Sequence, residues 1–147
     1  MIAGVSNSFA EEQTRVLRIY SDAEGNSHME ELIVATASSG HGREAQAVSV
    51  TEALVKEYRS QTVSDWQTAP ARQFAITIVG ELEVEVSGGL RRRVHTGELV
   101  FLEDTSGRGH LVRMSGPVTN LYIRVSDSFD VVAWSRAKLR GTSETDI

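Results

Sequence analysis

Polar and apolar positions alternate most clearly in the centre of the chain. Residues 72–79 carry β-branched and aromatic side chains at close intervals and end at Gly80, a pattern typical of a strand that stops at a kink. From residue 81 to residue 86, glutamate alternates with aliphatic residues, which puts carboxylates on one face of a second strand. Ser-Gly-Gly at 87–89 supplies the positive-φ positions of a tight hairpin. The centre is therefore predicted to be β-structure.

Further short strands are predicted on both sides of this hairpin. The runs with strand-like composition lie at residues 15–21, 28–35, 90–95, 97–102, 110–114 and 119–125. In the last run, Asn120, Tyr122 and Arg124 alternate with aliphatic residues, so these three side chains share one face. Short, evenly spaced strands indicate a barrel or a sandwich.

The remaining segments have weaker patterns. Residues 36–44 are predicted to be a loop and residues 45–58 a short strand followed by a turn, because residues 51–58 have helical spacing. Trp134 lies in a segment that fits either an edge strand or a short helix. The predicted organisation is a flexible arm at 1–13, a barrel at 14–126, and an edge segment with a disordered tail at 127–147.

Length, charge and composition exclude several classes of protein. The 147 residues suffice for one domain, and the absence of cysteine excludes disulfide frameworks, zinc fingers and thiol nucleophiles. A net charge of −5 without a basic stripe argues against nucleic acid. The triplet that begins at Arg91 follows the glutamate strand, so we expect cross-strand charge pairs. No apolar run reaches the roughly 18 to 20 residues of a membrane span and no signal peptide is visible; we expect a cytoplasmic protein.

Two motifs carry a resemblance to a known family. Gln73 and Gly80 have the spacing of the glutamate and glycine in the first cupin motif, and Gly97 and His110 match the ends of the second. Longer stretches at 25–30, 66–73, 80–85 and 97–110 resemble small bacterial and fungal cupin-like proteins. The resemblance implies an all-β fold, the double-stranded β-helix or jelly-roll barrel.

The resemblance also implies a degenerate metal site. Cupin centres typically use three imidazoles and one carboxylate, and the matching positions here are Gln67, Ala69, Gln73 and His110. One imidazole with two neutral amides is a weak ligand set, so we predict no metal or other cofactor. If a metal is bound, it is bound through His110, with a possible contribution from His28, His41 or His95.

Strand alternation then predicts which side chains face the interior. If Gln73 points inward as the family glutamate does, Ala75, Thr77 and Val79 line the interior, while Phe74, Ile76 and Ile78 face outward. His110, Val112 and Met114 also point inward by the same rule. We expect the outward residues to be covered by a second sheet or a partner copy, which predicts a homodimer.

These positions define the candidate site. We expect Gln67, Arg72, Gln73, Thr77 and His110 to form a polar cluster at the mouth of an apolar pocket. The alternatives are an ion pair of Arg72 with Glu103 or Asp104, a backbone hydrogen bond for Gln73, and a core position for Trp66. The predicted catalytic residues are His110, Gln73 and Arg72; the predicted substrate contacts are Trp66, Gln67, Ala75, Thr77, Val112, Met114 and Tyr122.

Such a cluster suits proton transfer without a metal. A histidine can act as general acid or base, while an arginine and an amide hold a carboxylate or enolate oxygen. By resemblance to bacterial cupins, we expect isomerisation, dehydration or cyclisation of a hydrophobic, polyketide-like carbonyl compound. The alternatives are a non-catalytic ligand-binding or accessory cupin and a metal-dependent dioxygenase or isomerase.

Overall fold

The computed structural model describes residues 13–137. Most of the predicted arm and the end of the predicted tail lie outside these residues. The strands are β1 (Arg15–Ser21), β2 (Ser27–Ile33), β3 (Ala37–Ser39), β4 (Gly42–Glu44), β5 (Val50–Tyr58), β6 (Thr62–Val63), β7 (Gln73–Val79), β8 (Leu82–Glu85), β9 (Arg91–Val94), β10 (Leu99–Glu103), β11 (Leu111–Met114) and β12 (Val118–Val125). One short helix, α1 (Val131–Ser135), follows them. No helix between residues 13 and 137 is long and apolar enough to cross a membrane.

The order of strands in the two main sheets defines the architecture. One sheet has the order β2-β1-β10-β7-β12-β5 and the other has the order β6-β11-β8-β9. From β5 to β12 the chain passes from one sheet to the other at every step except between β8 and β9. This is the strand order of a jelly roll, with β5 to β12 as its eight strands and β1 and β2 added beside β10. The predicted all-β jelly-roll barrel is confirmed.

Two apolar layers hold the sheets in place. The inner layer lies between the sheets and includes Ile19, Val84 and Val100. The outer layer covers the other face of the six-stranded sheet, where the Phe74 ring packs 4.9 Å from Phe101 and 5.6 Å from Trp134, measured between ring centres. Burial of such aromatic side chains contributes several kcal/mol to stability.

The prediction that a second sheet or a partner copy covers Phe74 was wrong. Its ring is 6% exposed and is covered by Trp134 on α1 and by Phe129, not by a second sheet or a partner copy. The cover comes from residues C-terminal to the barrel, whose packing partner no local pattern reveals. The edge-strand alternative for this segment was wrong and the helix alternative right, since Asp130 caps α1 by accepting from the backbone N–H of Ala133 at 3.0 Å.

Two strand predictions were also wrong. Residues 50–58 form a full strand instead of a strand and a turn, because β5 pairs with β12 along its length; such long-range pairing overrides local spacing. Val79 is 54% exposed although it was expected inside. The register of β7 against β12 shifts between Thr119 and Asn120, and this bulge turns the end of β7 away from the interior. The loop predicted at residues 36–44 is instead the small β3–β4 hairpin, because its two halves pair with each other.

The predicted charge pairs on the hairpin are present. Arg91 lies opposite Glu85 in the β8–β9 ladder and binds it at 3.1 Å, while Arg93 binds Glu81 at 3.1 Å. Both arginine side chains are more than half exposed. Exposed pairs of this kind contribute less than about 1 kcal/mol each to stability. The two arginines therefore pair with acids on the solvent-exposed face of the hairpin and add little to the stability of the fold.

Candidate functional site

A cavity opens between the two sheets. Its empty volume is about 680 Å³, including the part open to solvent. The apolar part of its lining includes Ile19, Ala75, Val84, Val100, Val112 and Met114. The polar part includes Gln67, Thr77, His110, Asn120 and Tyr122. A mostly apolar wall with a few polar groups is the usual form of a small-molecule site.

A second cavity adjoins the first and is more polar. It has an empty volume of about 710 Å³, including open solvent, and shares five lining residues with the first: Tyr58, Gln67, Leu102, His110 and Tyr122. Its own lining includes Leu54, Lys56, Gln73 and Arg124. The two cavities therefore meet at His110 and at the two tyrosines.

His110 is held in place from two sides. It precedes β11, and its backbone N–H donates to the carbonyl of Gln67 at 2.9 Å while the N–H of Gln67 donates to the His110 carbonyl at 3.0 Å. On the imidazole, Nδ1 lies 2.6 Å from Oδ2 of Asp104. A carboxylate can only accept a hydrogen bond, so Nδ1 carries a proton, and whenever the ring is neutral the lone pair is on Nε2.

Asp104 is fully buried directly after β10. Its Oδ1 has no hydrogen-bond partner among residues 13–137, and its exposed fraction is 0%. A buried carboxylate oxygen without a partner is costly and uncommon in native structures. The contact of this carboxylate with a side chain, through Oδ2, holds the imidazole of His110 in its orientation.

A chain of hydrogen bonds runs across the part of the cavity wall that β7, β12 and β5 form. The hydroxyl of Thr77 donates to Oδ1 of Asn120 at 2.9 Å, and Nδ2 of Asn120 donates to the hydroxyl oxygen of Tyr122 at 3.0 Å. The hydroxyls of Tyr122 and Tyr58 lie 3.1 Å apart. One hydroxyl proton is used between the two phenols, so the other can be donated to a ligand.

Tyr122 stays protonated over the physiological range. Burial, and then the hydrogen bond with Tyr58, raise the pKa of its phenol to about 12. The phenol of Tyr122 therefore keeps its proton, which it can donate either to Tyr58 or to a ligand.

Gln73 lies at the polar end of the site. It is 3% exposed, and its Oε1 lies 3.4 Å from Nε of Arg124, which also pairs with Glu52. The ladders place Gln73 opposite Arg124, and Arg124 opposite Glu52, so the three residues form one row across β7, β12 and β5. The backbone hydrogen bond considered for Gln73 is replaced by this contact with a side chain.

Arg72 and Trp66 are not brought to either cavity. Arg72 binds Glu103 at 3.0 Å, and its guanidinium lies 5.6 Å from the centre of the Phe101 ring in the outer layer. Trp66 is half-buried, with the guanidinium of Arg108 4.1 Å from its ring centre. The ion pair with Glu103 was the alternative for Arg72, and the structure gives Trp66 a stacking partner in place of a core position. The other predicted site residues line one or both cavities.

Among the polar residues of the site that were not predicted, three show why the sequence did or did not reveal them. Asn120 had a usable signal, since it alternates in phase with Tyr122. Asp104 precedes His110 by six positions across a glycine-rich loop, and no periodic pattern crosses such a loop. Tyr58 lies at the end of β5, the strand whose length was mispredicted.

The residues at the family's metal positions do not fit a metal centre. Ala69 has no ligating atom and is packed in the inner core at 3% exposure. Gln67 and Gln73 offer only neutral amides beside His110. Within residues 13–137 there is no group of three or more His, Cys, Asp or Glu placed to hold a metal ion.

The other histidines do not complete this set. His28 binds Asp22 at 2.7 Å and His95 binds Glu98 at 3.0 Å, each on the exposed surface. His41 is exposed in the β3–β4 turn. None of the three lines either cavity.

Comparisons with known proteins do not name a function for this chain. No protein-family model and no curated protein matches the chain. A solved structure of the cupin domain of Cnp3 from Schizosaccharomyces pombe is 16% identical, with a TM-score of 0.43, over 83% of this chain and 89% of that one. Protein NMB1881 from Neisseria meningitidis is 14% identical, with a TM-score of 0.42, over 56% of this chain and 87% of that one.

The strand order itself identifies the architecture. The fold is cupin-like. Cupin-like jelly rolls host many unrelated activities, so the function has to be argued from the cavities and from the residues that line them.

Proposed function

We propose that this cupin-like protein is an enzyme that transfers a proton next to the carbonyl group of a hydrophobic small molecule, without a metal. The observation that carries the proposal is the pair formed by His110 and buried Asp104 at the meeting point of two cavities. A carboxylate that orients an imidazole is the usual arrangement of a histidine general base. The mostly apolar first cavity supports a hydrophobic substrate.

The first step uses two groups at the junction of the cavities, the imidazole of His110 and the phenol of Tyr122 or Tyr58. Nε2 of His110 takes a proton from the carbon beside the carbonyl, and the electron pair of that C–H bond moves into the new carbon–carbon double bond. The negative charge collects on the carbonyl oxygen. Tyr122 or Tyr58 donates a hydrogen bond to that oxygen, which stabilises the enolate.

The outcome depends on what the enolate does next. If the substrate is unsaturated next to the enolate, return of the proton from His110 to the γ-carbon gives isomerisation. Transfer of that proton to a β-hydroxyl, which leaves as water while the electron pair of the enolate forms the new double bond, gives dehydration. Attack of the enolate carbon on a second carbonyl closes a ring, and the alkoxide formed there takes the proton from His110. The structure supports the shared first step, and the shape of the substrate selects among the three outcomes.

The test measures solvent deuterium exchange. A panel of hydrophobic ketones and aldehydes is incubated with the protein in D₂O, and loss of the α-proton signal is followed by NMR. Since a positioned base contributes about 10²- to 10⁴-fold, we expect His110→Gln to lower the exchange rate at least about 100-fold. His95→Gln is the matched control, because His95 is exposed and away from both cavities.

The same panel separates catalysis from binding alone. Thermal stabilisation by a carbonyl compound without exchange would support the non-catalytic ligand-binding alternative. Equal exchange by the wild type and by the His110 variant would reject His110 as the base.

A further inference from the structure

The second cavity has a positive lining. Lys56 and Arg124 both line it together with His110, and its lining contains no aspartate or glutamate. The chain as a whole carries 20 acidic residues and a net charge of −5. The second cavity therefore has two cations and no acid in its lining, although the chain as a whole is acidic.

The strand register explains why the cations lie there. Lys56 is opposite Asn120 and Leu54 is opposite Tyr122, so the inward face of β5 continues that of β12. Arg124 is two positions beyond Tyr122 on the same face. The two cations thus flank Tyr122, the phenol at the junction of the cavities.

The ion pairs of these two cations leave one positive charge that no acidic side chain within residues 13–137 compensates. The ammonium of Lys56 lies 5.3 Å from the centre of the Tyr58 ring, and it has no ion-pair partner in the part of the chain that the structure describes. Arg124 pairs through Nη1 with Glu52, whose side chain is 55% exposed. Lys56, Arg124 and Glu52 together carry one net positive charge, which matches a monoanion.

We propose that the second cavity binds the carboxylate of the substrate through Lys56 and Arg124. The substrate class is then a carboxylic acid whose apolar body occupies the first cavity and whose reactive carbonyl lies between His110 and Tyr122. The position of the carbonyl rests on the proposed function, whereas the carboxylate site rests on the cavity and its charges alone.

The binding test uses matched neutral and charged probes. Affinities are measured by isothermal titration calorimetry for a series of straight-chain and phenylalkyl carboxylates, the corresponding primary amides, and the corresponding alkyl phosphates. We expect each bound carboxylate to bind at least about tenfold more tightly than its amide, as a charge-assisted contact provides. Equal affinities, or no binding of any carboxylate at millimolar concentration, would overturn the proposal. Tighter binding of the phosphates would overturn the assignment to a carboxylate.

Two variants test whether Lys56 causes the preference for carboxylates over amides. Lys56→Met keeps the aliphatic stem, and we expect it to remove most of the preference for the carboxylate while amide binding stays unchanged. Arg59→Met is the charge-matched control, because Arg59 is 85% exposed and lines neither cavity. A Lys56 variant that binds carboxylates as the wild type does would refute the site.

Two measurements on the wild type separate this proposal from the proposed function, because carboxylate binding and proton exchange are read out independently. Carboxylate binding without proton exchange in the wild type would reject the catalytic proposal and keep the anion site. Proton exchange of neutral ketones without any preference for carboxylates would keep the catalytic proposal and reject the anion site.

Discussion

Gly109 lies where two backbone segments touch beside the site. A Cβ atom built on it would be 2.0 Å from the carbonyl oxygen of Gln67 and 2.3 Å from the carbonyl carbon. Real Cβ atoms essentially never come within 3.0 Å of another heavy atom in this way. Because the obstacle is backbone, it cannot move aside by a rotamer change. Gly109→Ala must therefore push the loop before β11 away from Gln67.

The magnitude can be worked out from a control glycine. Gly88 has φ +82° with nothing within 4 Å of a built Cβ, whereas Gly109 has φ +76°. Alanine at either position pays about 1 to 2 kcal/mol for the left-handed conformation. At Gly109 it also breaks the two backbone hydrogen bonds between Gln67 and His110, at about 1 kcal/mol each. We expect about 3 to 4 kcal/mol for Gly109→Ala, about 2 kcal/mol more than for Gly88→Ala.

Urea unfolding of both variants measures this difference in the free energy of unfolding. Since the displaced loop carries His110, folded Gly109→Ala should also lose proton exchange, while Gly88→Ala should keep it. Unfolding free energies that agree within about 1 kcal/mol would refute the close approach that the structure gives to Gly109 and Gln67.

Four further outcomes are expected. Asp104→Asn should lower solvent deuterium exchange at least about 100-fold and keep carboxylate binding, because the amide no longer fixes the proton of His110 on Nδ1. Phe74→Ala should lower the free energy of unfolding in urea by about 3 to 5 kcal/mol, because its ring fills the outer layer. The pKa of Tyr122 is raised from 10.0 to about 12, so its contribution to stability is complete below pH 10 and is lost as the pH rises towards 12; across that window the wild type should lose more stability than Tyr122→Phe. The homodimer stays a prediction, with Ile78 still 47% exposed on the outer face; sedimentation that gives only monomer at micromolar concentration would contradict it.

The interior positions of regular strands were predictable from the sequence. Ala75, Thr77, His110, Val112 and Met114 all line the first cavity as alternation required. Each strand has one buried face, and its period of two decides which side chains point there. The same rule failed at Val79, where a bulge in the pairing with β12 interrupts the period.

Contacts between distant segments were not predictable. Glu103 and Asp104 are adjacent in the chain, and either could pair with Arg72. Only the fold shows that Glu103 pairs with Arg72 and Asp104 with His110. The cover over Phe74 likewise comes from α1, which lies outside the barrel strands. Such choices depend on how loops and the C-terminal segment pack, which no local period encodes.

The Asp104–His110 pair suits two roles, a metal ligand with its orienting partner or an oriented base, and the neighbouring residues bear on which of the two we propose. A carboxylate bonded to Nδ1 orients a metal-ligating imidazole as well as it orients a base. A metal ligand needs further ligands around Nε2, and here Ala69 is packed in the inner core while Gln67 and Gln73 carry no charge. A base needs a bound C–H group and a donor for the oxygen beside it, and the phenol of Tyr122 lines the same two cavities as His110. The neutral donor set around Nε2, together with the Asp104 carboxylate on Nδ1, is what supports the proposed proton transfer.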